Sequence, residues 1–131
     1  QYLRLRVLGQ PERRLKIIHY SGVPPIPSDK IGITGARGLS VRPLVNQADG
    51  AQTYSMALLE LAPGGSTPKH SHQRDEEIFV KAGSGIVKYS GKEASVSPGS
   101  VLYIGPNEDH QFLNTTDEIL ELLCVTQIQA D

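Results

Sequence analysis

Turn-forming residues interrupt this chain so regularly that sustained helices have little room. Thirteen glycines and nine prolines are spread along 131 residues, separating short apolar stretches. Tyr54 to Leu61 is followed by Pro63-Gly64-Gly65, Glu77 to Lys81 by Gly83-Ser84-Gly85, and Ile86 to Tyr89 by Gly91. Ala94 to Ser97 ends at Pro98-Gly99, Ser100 to Ile104 at Gly105-Pro106, and Asp109 to Leu113 at Asn114-Thr115-Thr116-Asp117; Glu118 to Gln127 completes the series. Short strands at this spacing, with turn chemistry between them, predict an all-β sandwich or barrel. No stretch carries a sustained helical period with a cap at its start.

The strand faces can be phased, because successive side chains alternate across a strand. Glu60 is expected to face water, which turns Ala57, Leu59 and Leu61 inward. Glu121 likewise faces out and leaves Leu120, Leu122 and Cys124 inward. Ile119, Leu123 and Val125 share the outer face with Glu121, so a cover is expected there, either the N-terminal strands or a second subunit.

Residues 1–50 read as an N-terminal extension that packs on the barrel or on a partner subunit, and residues 51–131 as the barrel itself. In the extension Leu3, Leu5 and Val7 alternate with Arg4 and Arg6, a strand pattern, and Leu15, Ile17 and Ile18 suggest another strand. Ser21 to Pro27 reads as a stiff extended connection. The three glycines of Gly32 to Gly38 read as a loop, since they lack the strand-then-helix setting of a phosphate-binding turn.

Composition excludes several functional classes. Thirteen basic and fourteen acidic residues leave the chain near neutrality. The basic residues near the start (Arg4, Arg6, Arg13, Arg14, Lys16) have no interleaved aromatics for base stacking, which argues against nucleic acid. No apolar run approaches the ~20 residues of a membrane span, and no signal-peptide pattern opens the chain. A single cysteine, Cys124, excludes an internal disulfide and favours a reducing compartment. A soluble cytoplasmic protein is expected, with a small molecule rather than nucleic acid or membrane as its partner.

The chemistry concentrates in His70, His72, Glu76 and His110. Three imidazoles and a carboxylate, if gathered, would bind a divalent first-row transition metal and leave two coordination positions open. His70 and His72 stand two residues apart, so on a strand both rings would project from one face. His-x-His alone is weak evidence; the combined spacing is specific. Extending the ligand phase gives a mostly apolar pocket wall of Ala57, Leu59, Ile78, Val80, Phe112, Leu122 and Cys124, each of which serves equally well as ordinary core. Cys124 reads as a small hydrophobe rather than a nucleophile, since no positive neighbour would lower its pKa. Lys69 and Arg74 read as a solvated face, and the facing of Tyr103 and Gln111 is open.

The two motifs resemble those of the cupin superfamily. Gly64, His70, His72, Glu76 and Gly83 fit its first motif without a gap, whereas Glu77 would leave five residues before Gly83 rather than six. His110 and Asn114 match its second motif, with Gly105 where proline is usual and Asn107 where glycine is usual. Asparagine is the non-glycine residue that best tolerates the left-handed backbone such a turn needs. The likeness covers about residues 54–127 and is greatest to small single-domain bacterial cupins. It implies a double-stranded β-helix (jelly-roll barrel) with the metal near one mouth. Manganese or iron is favoured and nickel, zinc, cobalt or copper occur, and members often pair as homodimers. The function it implies is a metal-dependent enzyme on a small organic substrate, with dioxygenase-type oxidative cleavage favoured over isomerisation or decarboxylation. The alternative is a non-catalytic sensor or storage module that binds a small molecule or metal. A DNA-reading regulator is disfavoured because no helix-turn-helix accompanies the barrel.

Overall fold

The computed structural model describes residues 15–128; the alternating Leu3–Val7 segment lies outside them. Nine strands follow in order: β1 (Ile26–Pro27), β2 (Arg37–Val45), β3 (Tyr54–Ser66), β4 (Glu76–Ala82), β5 (Gly85–Tyr89), β6 (Lys92–Val96), β7 (Val101–Ile104), β8 (His110–Leu113) and β9 (Leu120–Gln127). Every pairing among them is antiparallel. They form one sheet in the order β6-β5-β8-β3-β9-β4-β7, with β2 also on β3 and β1 on β2. The sheet curls on itself without closing, as in a jelly roll.

Strand β3 makes the curl possible. Its ladder with β9 runs from Tyr54↔Gln127 to Leu61↔Leu120, the span expected from the sequence. The turn expected at Pro63-Gly64-Gly65 is instead a bulge inside one long strand. Against β2 the register steps from Leu39↔Leu61 to Arg37↔Ser66, and Ser66 then pairs with Leu113 of β8. Gly64 has φ +77, and a Cβ on Gly65 would lie 2.7 Å from the Arg37 carbonyl oxygen and 2.8 Å from that of Ala62. A bulge with these two glycines bends β3 so that one strand serves both halves of the roll.

The inward phase yields the core: Leu61 of β3, Ile78 and Val80 of β4, Leu120, Leu122 and Cys124 of β9, with Val87, Val96, Ile104 and Phe112. Strand β2 adds Leu39 and Val41. Glu60 and Glu121 point to the opposite face but are not simply solvated. Arg42 Nε donates to Glu60 at 3.1 Å, and Lys81 Nζ to Glu121 at 2.8 Å. Arg42 also donates to the Val23 carbonyl, and Lys81 lies 4.5 Å from the centre of the Tyr20 ring. The stretch around Tyr20 thus lies over this face, where Leu58 is 1% exposed.

Two expectations for the extension fail. Leu15, Ile17 and Ile18 form no strand and are exposed. Lys16 reaches β2 through its side chain, which donates to the Leu44 carbonyl and pairs with Asp49 at 2.7 Å, so no backbone ladder forms. Ser21 to Pro27 is not one extended run either: a 3-10 turn at Tyr20–Gly22 precedes the two-residue β1. The Gly32–Gly38 stretch is loop until β2 begins at Arg37.

Candidate metal centre

His70 and His110 are brought together by the backbone. They form an isolated antiparallel bridge, with His70 N donating to His110 O at 3.2 Å and His110 N to His70 O at 2.9 Å. Directly opposed residues of such a pair send their side chains to the same face. Their Nε2 atoms lie 3.1 Å apart. His72 lies in the β3–β4 loop rather than on a strand, so the alternation argument for a shared His70–His72 face does not apply. It is held instead by Asn107, whose backbone N–H donates to His72 O at 2.7 Å.

The turn before β8 therefore fixes two of the imidazoles. Asn107 holds φ +64, the left-handed conformation expected of it. Gly105 keeps the N–H that a proline would lack and donates it to the Glu108 carboxylate at 2.7 Å. The Glu108 carbonyl accepts from Nδ1 of His110 at 2.9 Å, and the Arg74 carbonyl accepts from Nδ1 of His72 at 2.6 Å. A carbonyl can only accept, so both Nδ1 atoms carry a proton, and each ring in its neutral form turns an Nε2 lone pair inward.

Glu76 opens β4 on its inward phase, while Glu77 is exposed on the other face. Oε1 of Glu76 lies 3.4 Å from His72 Nε2 and 3.2 Å from His110 Nε2, and its Oε2 accepts from Thr126 Oγ1 at 3.3 Å. The three rings meet nearly edge to face, with centroids 4.7 to 5.2 Å apart. One ligand nitrogen from each lies within 4.8 Å of the others.

Burial raises the Glu76 pKa, but the His110 hydrogen bond and the nearby His110 and His72 charges outweigh it and hold the carboxyl below its usual range. His110 is pushed the other way: burial disfavours its charge, yet the Glu76 and Glu108 contacts raise it. His70 is lowered by burial and by its two imidazole neighbours. Burial, with the Glu76 charge, drives the Cys124 thiol well up, so it is no nucleophile.

A cavity of about 620 Å³ opens onto these residues. Leu59, Ile78, Phe112, Leu122 and Cys124 line it. Ala57 and Val80 do not: Val80 is fully buried deeper along β4, and the short Ala57 packs on the core. Lys69 is exposed, as expected of a solvated face, and Arg74 is partly buried; both also border the cavity. Tyr103 turns outward to donate to Asp75 at 3.1 Å, and Gln111 is held by the Thr67 carbonyl. Sequence reasoning missed Ser55 and Thr126, which one further step of alternation along β3 and β9 would have found. It also missed Ile33, Thr34 and Leu39, which carry no local signal and reach the cavity through the β1–β2 loop and β2.

Among the described residues no helix is long and apolar enough to cross a membrane. The Thermotoga maritima oxalate-binding protein is 33% identical over 70 residues, covering 53% of this chain and 58% of that protein. Auxin-binding protein 1 of Arabidopsis thaliana is 30% identical over 112 residues, covering 79% and 56%. The chain thus spans little more than half the length of these curated relatives. Among solved structures, the polyketide cyclase RemF of Streptomyces resistomycificus superposes with TM-score 0.81 at 28% identity, covering 88% of this chain and 81% of that one. The cupin-domain family model matches residues 57–126. With that match, the jelly-roll sheet and the histidine cluster at its mouth, the chain belongs to the cupin family.

Proposed function

We propose that this cupin holds one divalent metal ion, manganese or iron, through His70, His72, Glu76 and His110, and acts on a small organic substrate by dioxygen-dependent oxidative cleavage. One observation carries the metal assignment. With both Nδ1 protons committed to carbonyls, the neutral His72 and His110 rings each turn an Nε2 lone pair to within 3.2 to 3.4 Å of the Glu76 carboxylate oxygen. Acceptors that close repel unless a proton or a cation joins them, and a divalent ion answers all of them at once. The mixed nitrogen–oxygen donor set suits a divalent transition ion rather than calcium or magnesium.

When bound, the ion would supply Lewis acidity or a one-electron centre. The residues of the chain do the rest. Glu108 and Arg74 carbonyls fix the ring tautomers, Thr126 orients Glu76, and the apolar wall keeps bulk water from the reacting face. A homodimer is part of the same proposal.

Metal content of the purified protein, set beside His70→Ala and Glu76→Ala, tests the ligand set. Near-stoichiometric metal is expected in the parent and loss in both variants; equal content in all three would sink it. Oxygen uptake by the iron-loaded protein with a substrate panel then tests the reaction. The second reading, a non-catalytic binding module, draws on the names of the oxalate- and auxin-binding relatives. It expects ligand-dependent thermal stabilisation without product.

A further inference from the structure

The charge and the walls of the cavity narrow its ligand beyond "small and organic". Three charged side chains line it: Lys69, Arg74 and Glu76. The Glu76 carboxylate is already engaged, facing His72 and His110 and accepting from Thr126. That leaves two cations with no carboxylate of the cavity to answer them, and a divalent ion at the histidines would add to the same sign. A positive, partly desolvated concavity concentrates anions.

The walls add a second requirement. Ile33, Leu39, Leu59, Ile78, Phe112 and Leu122 present apolar surface over most of the interior. About 620 Å³ falls within the range that holds drug-sized ligands. A two-carbon diacid would satisfy the cations and leave that surface unburied. A neutral apolar body would bury the surface and leave the cations unanswered.

We propose that the cavity takes an organic monoacid: one carboxylate drawn by Lys69 and Arg74 toward the histidine mouth, on an apolar, ring-sized body seated against Phe112, Leu59 and Leu39. The proposal deepens the metal-dependent reading and rests on it for where the chemistry lies, but the charge preference belongs to the chain itself.

Isothermal titration of the manganese-loaded and metal-free full chain with 3-phenylpropionate, 3-phenylpropionamide and oxalate tests this. The acid is expected to bind both forms, about tenfold or more tighter than its amide. Lys69→Met with Arg74→Met should erase about tenfold of the acid's affinity and leave the amide's unchanged. Unchanged melting temperature and metal content would verify that the double variant is folded and loaded. Equal binding of acid and amide, oxalate binding more tightly than phenylpropionate, or a double variant that binds the acid normally would each overturn the proposal. If the protein holds no metal while the acid preference persists and depends on Lys69 and Arg74, the metal reading fails and this one stands.

Discussion

His110 meets Glu76 through one nitrogen and the Glu108 carbonyl through the other, and this sets how the site responds to pH. In the metal-free protein its raised pKa keeps the ring protonated above the ordinary histidine value of about 6.5. A metal must displace that proton, so affinity is expected to start falling, as pH drops, from above pH 6.5. Glu76→Gln removes the largest influence raising His110, so the onset of metal loss should move to lower pH even as affinity weakens. Metal-chelator competition across pH 5 to 8 checks this; an onset that does not move would contradict it. For metal-free stability the signs are opposite for the two partners. The raised His110 contributes in full below about pH 6.5 and loses its contribution as pH rises through its folded value. The lowered Glu76 contributes above about pH 4.5 and loses its share as pH falls through its own. The melting-temperature gap between the metal-free parent and Glu76→Gln should therefore be widest between those values. Asn107 offers a separate test at this scale. Its φ of +64 makes Asn107→Ala cost about 1–2 kcal/mol, visible in denaturant unfolding, while Asn107→Gly is close to neutral.

At the scale of elements, the β4–β5 turn explains the glycine that closes the first motif. Gly83 has φ +78, and a Cβ there would run into the Ile119 carbonyl and lie 2.8 Å from Leu120 Cα, at the start of β9. Gly83→Ala combines a left-handed penalty with a backbone clash and should cost about 2–5 kcal/mol, read from denaturant midpoints. Strands from β3 onward were legible because alternation and turn residues agree, and Tyr54–Leu61 even matches the β9 ladder. Strand β2 was not. Pro43 and Gly38 lie inside it, and both argue against a strand. The ladder slips between Pro43 and Val45, and a second register shift falls between Arg37 and Leu39, so each residue stands at an irregularity the sequence does not announce. The four candidate ligands were picked out by their spacing together with the likeness to the cupin motifs, but the geometry that gathers them was not legible. His72 is placed by the Asn107 amide from the other end of the chain segment, a contact with no local signature. That Lys69 also borders the cavity was illegible for a related reason: alternation says where a side chain points only while the backbone is a strand, and residues 67–69 are not one.

For the whole molecule, loss of metal is expected to destabilise the mouth of the roll more than its core. The proposed ligands come from β4, β8 and the loop between β3 and β4, whereas Leu61, Val80, Leu120 and Leu122 are fully buried without help from the site. Removing the ion with a chelator should lower the melting temperature, and amide exchange should quicken first near residues 70–76 and 105–110. Uniform quickening across β3 and β9 would instead indicate that the metal staples the entire sheet.

The position of β9 has a consequence for how the molecule is made. It lies between β3 and β4 in the sheet, yet it is the last of the nine strands to be synthesised. Until Gln127 has left the ribosome, β3 and β4 each lack their longest ladder. Pairing across some sixty residues of chain is slow, because loop closure must precede any gain in contacts. The growing chain therefore carries β3 and β4 each with one edge unpaired, although β2 and β7 already flank them, until β9 emerges, a window for chaperone capture or misassembly.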